Sequence, residues 1–181
     1  MTTIDDLCAA TGQFVTFGID REVFAVPVES VLEIIEPPAL FRVPEAPPHF
    51  AGLIDVRGRN LPVIDLRVKL GLPKLHTTES TRIMVLEISP SGRSLVLGVI
   101  ADRVFEVAAL DGGRLDPPPD IGINWRSNSI RGIGRRGQSF VVVFDLERLF
   151  SADDPALFAQ ATDPPRPPDP EAAAQTELAT A

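Results

Sequence analysis

The chain has 181 residues, 17 basic and 25 acidic side chains, a formal net charge of −8 and one cysteine, Cys8. That excludes an internal disulfide framework and gives no overall positive field for nucleic acid or anionic lipid. No run reaches the 18 or so apolar residues of a membrane-spanning helix, and M-T-T-I-D-D-L-C lacks the basic-then-apolar start of a secretory leader, so a cytoplasmic protein is expected.

In chain order, residues 1–12 read as a flexible N-terminus with at most a short helical turn. Gln13–Ile19 alternates as a strand, Asp20-Arg21-Glu22 turns, and Val23–Val28 returns. Glu29–Ile35 reads as a turn and a strand, ended by Pro37-Pro38. Phe41–Val43 is short and extended, and Pro44, Pro47 and Pro48 make a stiff connection to the next strand. Gly52–Val56 and Leu61–Ile64 form a hairpin around Arg57-Gly58-Arg59-Asn60. Asp65 precedes L-R-V-K-L-G and can cap a short helix. Arg82–Ile88, Ser94–Ile100 and Val104–Leu110 are further strands. Asp116-Pro117-Pro118-Pro119 is a stiff connector. Ile130–Ile133 and Phe140–Phe144 close the series, and Asp145 caps L-E-R-L-F as Asp65 caps its helix. A short helical extension is expected over 151–162. Residues 163–181 are acidic and proline- and alanine-rich, too poor in apolar groups to offset the entropy of ordering, and read as a disordered tail. The tail from 151 holds six acidic residues and one basic, so most of the excess charge lies there.

Two blocks recur in the same order. Without gaps, Gly52 matches Gly132, Val63 matches Val143, Asp65 matches Asp145 and Leu66 matches Leu146, and Ala25–Ile34 resembles Gly98–Val107 with Glu33 opposite Glu106. This implies a duplicated β unit of about 75–80 residues, too long a period for a solenoid. Two similar small barrels or sheets, packed side by side, fit it.

The pattern carries no catalytic set. Cys8 lies at the loose start, and His49 and His76 sit in loops. Asp5-Asp6 and Asp153-Asp154 are solvated pairs, and Gly132-Ile133-Gly134 lacks the setting of a dinucleotide fingerprint. No metal or cofactor is expected. Arg126, Arg131, Arg135 and Arg136 form a basic cluster that would serve an anion- or nucleic-acid-binding β module, the alternative function. Trp125 alone offers a stacking aromatic beside it. Arg57, next to Gly58, has the donor fork of an interface residue, or is an ordinary exposed hairpin arginine.

Six segments in order resemble the CheW-type chemotaxis coupling proteins: F-V-T-F with V-F-A-V-P-V-E-S-V-L-E-I-I, then V-P-E-A-P-P-H-F-A-G-L-I-D-V-R-G-R-N-L-P-V-I-D-L-R, T-R-I-M-V-L-E-I, G-V-I-A-D-R-V-F-E-V, I-R-G-I-G, and F-V-V-V-F-D-L-E-R-L-F. The resemblance spans about 13–150. It implies a mostly β domain of two interleaved SH3-like five-stranded barrels, with short helices, and an adaptor rather than an enzyme. It implies two partners, the regulatory domain of a CheA-type histidine kinase and the cytoplasmic tip of a chemoreceptor, in an array at the membrane with no insertion of this chain. By position, Arg57 matches the arginine of the family's turn, with Gly58 beside it. Val31 and Glu33 match a receptor-contact segment, Gly52 matches the glycine that opens the turn motif, and Val104 and Val107 match the second-half segment that helps line the receptor groove. Asp55 departs from the family's usual residue and is expected to tether Arg57. A kinase regulatory fragment would share the fold, although the start at Met1 and the polar end are read against it. A coupling protein of a non-chemotactic array has the same sequence features.

Overall fold

The structure is a computed structural model that describes residues 12–118 and 129–150. Ten strands run in chain order: β1 (Phe14–Ile19), β2 (Glu22–Pro27), β3 (Val31–Ile35), β4 (Phe50–Val56), β5 (Arg59–Asp65), β6 (Arg82–Ile88), β7 (Leu95–Ala101), β8 (Arg103–Ala108), β9 (Ile130–Arg136) and β10 (Ser139–Phe144). One-turn helices come after β5 and β10, α1 (Leu66–Lys69) and α2 (Leu146–Leu149). The Asp65 carboxylate accepts from the Val68 N–H and the Asp145 carboxylate from the Arg148 N–H, so both aspartates are helix caps, as their place in the sequence predicts. The expected helical turn near the start, the extension over 151–162 and the tail over 163–181 lie outside the described residues.

The strands make two five-stranded sheets with orders β8-β1-β2-β10-β9 and β3-β6-β7-β5-β4. Shifting each label by five converts one order into the other. The duplication is therefore real at the level of strands. The two copies are not side by side, however: each gives its first two strands to the sheet of the other. This is the interleaved, mostly β pair of SH3-like units that the resemblance implies, with barrels left open between their edge strands.

The register repeats as well. Val63 pairs with Gly98 in the parallel β5–β7 contact, and Val143 with Ala25 in β10–β2. Val31 faces Leu86 with a bulge before Glu33, and Val104 faces Phe17 with a bulge before Val107. Gly52 and Gly132 adjoin equivalent bulges in the β4–β5 and β9–β10 hairpins. Even the short bridges correspond, Phe41 to Leu53 and Asp116 to Ile133. The piece expected as an extended Phe41–Val43 is reduced to that single bridge.

Exchange of strands forces a shared core. β1 is buried along all six residues, and β6 and β7 nearly so, because both faces are covered. The largest apolar cluster joins Val15, Phe17 and Phe144 of one sheet to Ile64, Met84, Leu86 and Leu97 of the other, with Leu66 and Leu149 from the two helices and Phe150 just after the second. Phe24 lies between Phe17 and Phe144 at ring centroid distances of 6.0 and 5.0 Å. Each sheet also has a small core of its own on its far face, around Phe14, Leu110 and Val141 in one and around Ile54, Leu61 and Ile83 in the other.

One charged group ties the seam. Arg67 on α1 has a side chain only 6% exposed and donates to Asp102 at 2.6 Å, to Asp20 at 3.4 Å and to the Pro73 carbonyl at 3.0 Å. Asp20 belongs to the β1–β2 turn and Asp102 to the crossover from β7 to β8, so the guanidinium links the two sheets. The Asp20 N–H donates to the same Asp102 oxygen at 2.7 Å.

Arg67→Met should cost about 1–3 kcal/mol in urea unfolding. That is less than the roughly 3–5 kcal/mol of a fully buried broken pair, because both aspartates keep contact with water. Gly52→Ala should cost roughly 2–4 kcal/mol by the same measurement, since Gly52 has φ +143° and an added Cβ would fall 2.4 Å from the Phe41 carbonyl oxygen.

Candidate partner-binding site

The β4–β5 hairpin closes with Val56 opposite Arg59, leaving a two-residue loop, Arg57-Gly58. Both loop residues have positive φ, 54° and 77°, the pattern of a type I′ turn, which matches the twist of the flanking strands. The loop is therefore shorter than the four residues expected. The Gly58 N–H donates to the Asp55 carboxylate at 2.7 Å. Asp55 thus fastens the backbone of the turn and does not tether Arg57, contrary to expectation.

The guanidinium goes elsewhere. Arg57 Nη2 lies 3.3 Å from Glu33 Oε2 on β3, with the arginine side chain 82% exposed. Arg57, Gly58 and Glu33, predicted separately, are thereby brought to one place. The contact has a structural meaning too, because β3 and β4 are the two edges of the same sheet. The sheet curls until the hairpin tip meets the opposite edge. The other sheet does the same: Arg136 on edge strand β9 lies 2.5 Å from Glu106 on edge strand β8. Glu33 and Glu106 are the matched glutamates of the two repeats. Exposed pairs of this kind stabilise by about 0–1 kcal/mol, so either arginine can exchange its carboxylate for another at little cost.

Val31 and Val104 occupy equivalent positions at the start of β3 and β8, half-buried against the seam core. Val107 is exposed on β8. Gly52 is buried beneath Phe41, where it serves the backbone and presents no side chain. Three residues escaped the sequence reading: Leu32 and Ile34 on β3 and Phe105 on β8, all large, apolar and exposed. Their alternation marked the strands, but alternation does not say which face meets water. An open cavity of about 300 Å³ lies beside Phe105, lined also by Thr16, Val23, Glu106, Arg136, Ser139 and Val141.

The basic cluster disperses. Arg136 is engaged with Glu106, and Arg135 lies over the Phe140 ring at 4.9 Å. Arg131 is exposed, and Trp125 and Arg126 lie outside the described residues. Among the described residues no helix is long and apolar enough to cross a membrane, and no group of three or more His, Cys, Asp or Glu side chains is arranged to hold a metal.

The CheW-like domain model matches residues 13–154. The chain belongs to the CheW-like family. Among relatives, it is 30% identical over 141 residues to the chemotaxis protein CheW of Helicobacter pylori, covering 78% of this chain and 82% of that one. It is 28% identical over 159 residues to the chemotaxis protein CheW of Klebsiella aerogenes, covering 87% and 93%. The scaffolding protein TtCheW from Thermoanaerobacter tengcongensis has the same fold, with a TM-score of 0.68 at 27% identity over 79% of this chain and 94% of that one.

Within this CheW-like domain the two repeats differ at the turn. The position of Arg57 is taken in the second repeat by Gly137, also at positive φ, 57°. A left-handed conformation suits glycine and disfavours arginine. Arg57→Gly should therefore raise stability by up to about 1 kcal/mol, seen as a higher urea midpoint at unchanged slope. Loss of stability in that variant would mean that the Glu33 contact outweighs the backbone strain.

Proposed function

We propose that this chain is a chemotaxis adaptor that couples chemoreceptor cytoplasmic tips to a CheA-type histidine kinase and so places the kinase under receptor control. It acts by scaffolding, without chemistry of its own, in the cytoplasm beside membrane-anchored receptor arrays. Family membership supports the adaptor role, and one observation carries the site: Arg57 is held in an unfavourable backbone conformation with its guanidinium in solvent. Strain of that kind points to a side chain that is wanted where it is.

The partner surface combines that arginine with its surroundings. β3 is an edge strand with Leu32 and Ile34 exposed, so it offers apolar area beside a separable ion pair. A partner carboxylate can replace Glu33 at Arg57 in a bidentate geometry. The kinase regulatory domain packs against a barrel edge. The receptor's helical hairpin lies along the groove between the sheets, where Val31 and Val104 border the seam and Val107 adds exposed apolar surface. Receptor signals then act by favouring one relative placement of adaptor and kinase over another. Glu33, Gly58 and Gly52 serve this surface indirectly, by holding Arg57, the turn and the strand beneath it.

Calorimetric titration tests the reading, with wild type and Arg57→Asp run in parallel against a CheA-type regulatory domain and against a receptor-tip fragment. Saturable one-to-one binding of the wild type to the kinase domain is expected. The variant should lose about 2–5 kcal/mol toward one of the two partners, as for a broken interfacial charge pair. A well-folded wild type that binds neither would sink the proposal.

A further inference from the structure

The seam face of the sheet that contains β10 is not covered along its whole length. Phe144, Val142 and Phe140 alternate along that strand and share one face. Phe144 is buried in the seam core, Val142 is half-buried, and Phe140 is 61% exposed. Across the hairpin Arg135 pairs with Phe140, and its guanidinium lies 4.9 Å from the ring centroid. Arg131, on the same strand as Arg135, is exposed. Among the described residues neither Arg131 nor Arg135 makes an ion pair with a carboxylate. The fold does not require this platform, because the equivalent positions in the first repeat are Asn60 and Asp55.

The rest of the chain carries the complementary chemistry. The 31 residues after Phe150 hold six acidic side chains and one basic, and Asp163–Glu171 reads D-P-P-R-P-P-D-P-E. Their starting point is close, since Phe150 is buried in the same cluster as Phe144. Four residues of strand, from Phe144 to Phe140, span about 13 Å. The thirteen residues 151–163 can span roughly 45 Å when extended. A proline-rich segment is already extended, loses little entropy on docking, and presents flat apolar rings of the kind that lie on aromatic side chains. Its carboxylates suit the free guanidinium groups.

We propose that the acidic, proline-rich segment Asp163–Glu171 docks in cis on the Phe140–Arg135 platform of the β9–β10 hairpin. The tether supplies an effective concentration in the millimolar range, so a contact too weak to detect between separate molecules is populated within one. The inference rests on this surface and this sequence and not on the adaptor role.

The test compares amide ¹H–¹⁵N spectra of the full chain with those of a chain ending at Thr162. Removal of the segment should shift the amides of β9 and β10 around Arg135 and Phe140 and leave those of β3 to β7 in place. In the full chain, Arg135→Glu, a surface change that spares the core, should bring the hairpin amides distant from the substitution to the shortened-chain positions. The triple change Asp163→Lys, Asp169→Lys and Glu171→Lys should do the same, and so should added salt, which screens the contact. Hairpin spectra that superimpose with and without the segment would overturn the proposal. So would shifts that fade on dilution, because the segment would then be binding a second molecule.

Discussion

The seam between the two sheets is the constraint on which the rest of the structure depends. Each repeat gives its first two strands away, so neither sheet contains a complete set from one half of the chain. β1 and β6 are then covered on both faces along most of their length, one toward their own sheet's small core and the other toward the seam. Phe17, Phe24, Phe144 and Phe150 fill that seam together with Leu66, Met84 and Leu86. Truncating any fully buried member removes contacts from both sheets at once, at a typical cost of about 2–5 kcal/mol. The Arg67 network adds a directional tie across the same boundary, and its counterpart in the second repeat is Glu147, which is exposed. The electrostatic clamp therefore has no counterpart at the matching helix position of the second half.

Held firmly at the centre, the sheets stay open at the edges. β3 and β8 begin against the shared core and expose large apolar side chains farther along, and in each sheet a glutamate on that strand meets an arginine from the far edge. Among the described residues no strand pairing closes either barrel, and the ion pairs that span the gaps are too exposed to hold them shut strongly. Edge strands with apolar side chains are hazards in a protein that works alone and assets in one that works by assembly. The two repeats differ at these places. Arg57 stands where the second repeat has Gly137, and Arg135 and Phe140 stand where the first has Asp55 and Asn60. One surface presents a strained arginine beside aliphatic groups, the other an aromatic ring under a guanidinium. A duplicated scaffold thus carries two chemically different faces.

Much of this was legible in the residues because it depends on local geometry. Alternation in the first strand, and apolar β-rich runs bounded by turns in the others, located the strands, and the Asp65 and Asp145 caps needed only an aspartate before a short apolar turn. Gly52 with Gly132 and Glu33 with Glu106 revealed the repeat, since bulges and edge positions demand the same residue types in both copies. The family resemblance supplied the interleaving and put Arg57 forward as a candidate contact residue. The sequence by itself therefore determined the strands, their bounds to within a few residues, the duplication and the central candidate residue. The residue pattern left open which strands pair with which, and tertiary structure decided it, because a strand satisfies its hydrogen bonds equally well with any partner of matching pattern. It likewise decided that Arg57 meets Glu33 while Asp55 holds the turn, that Arg67 is buried between two aspartates, and that Leu32, Ile34 and Phe105 face solvent. Each of these depends on groups distant in sequence being folded to within a few ångströms, and no local periodicity encodes such a distance.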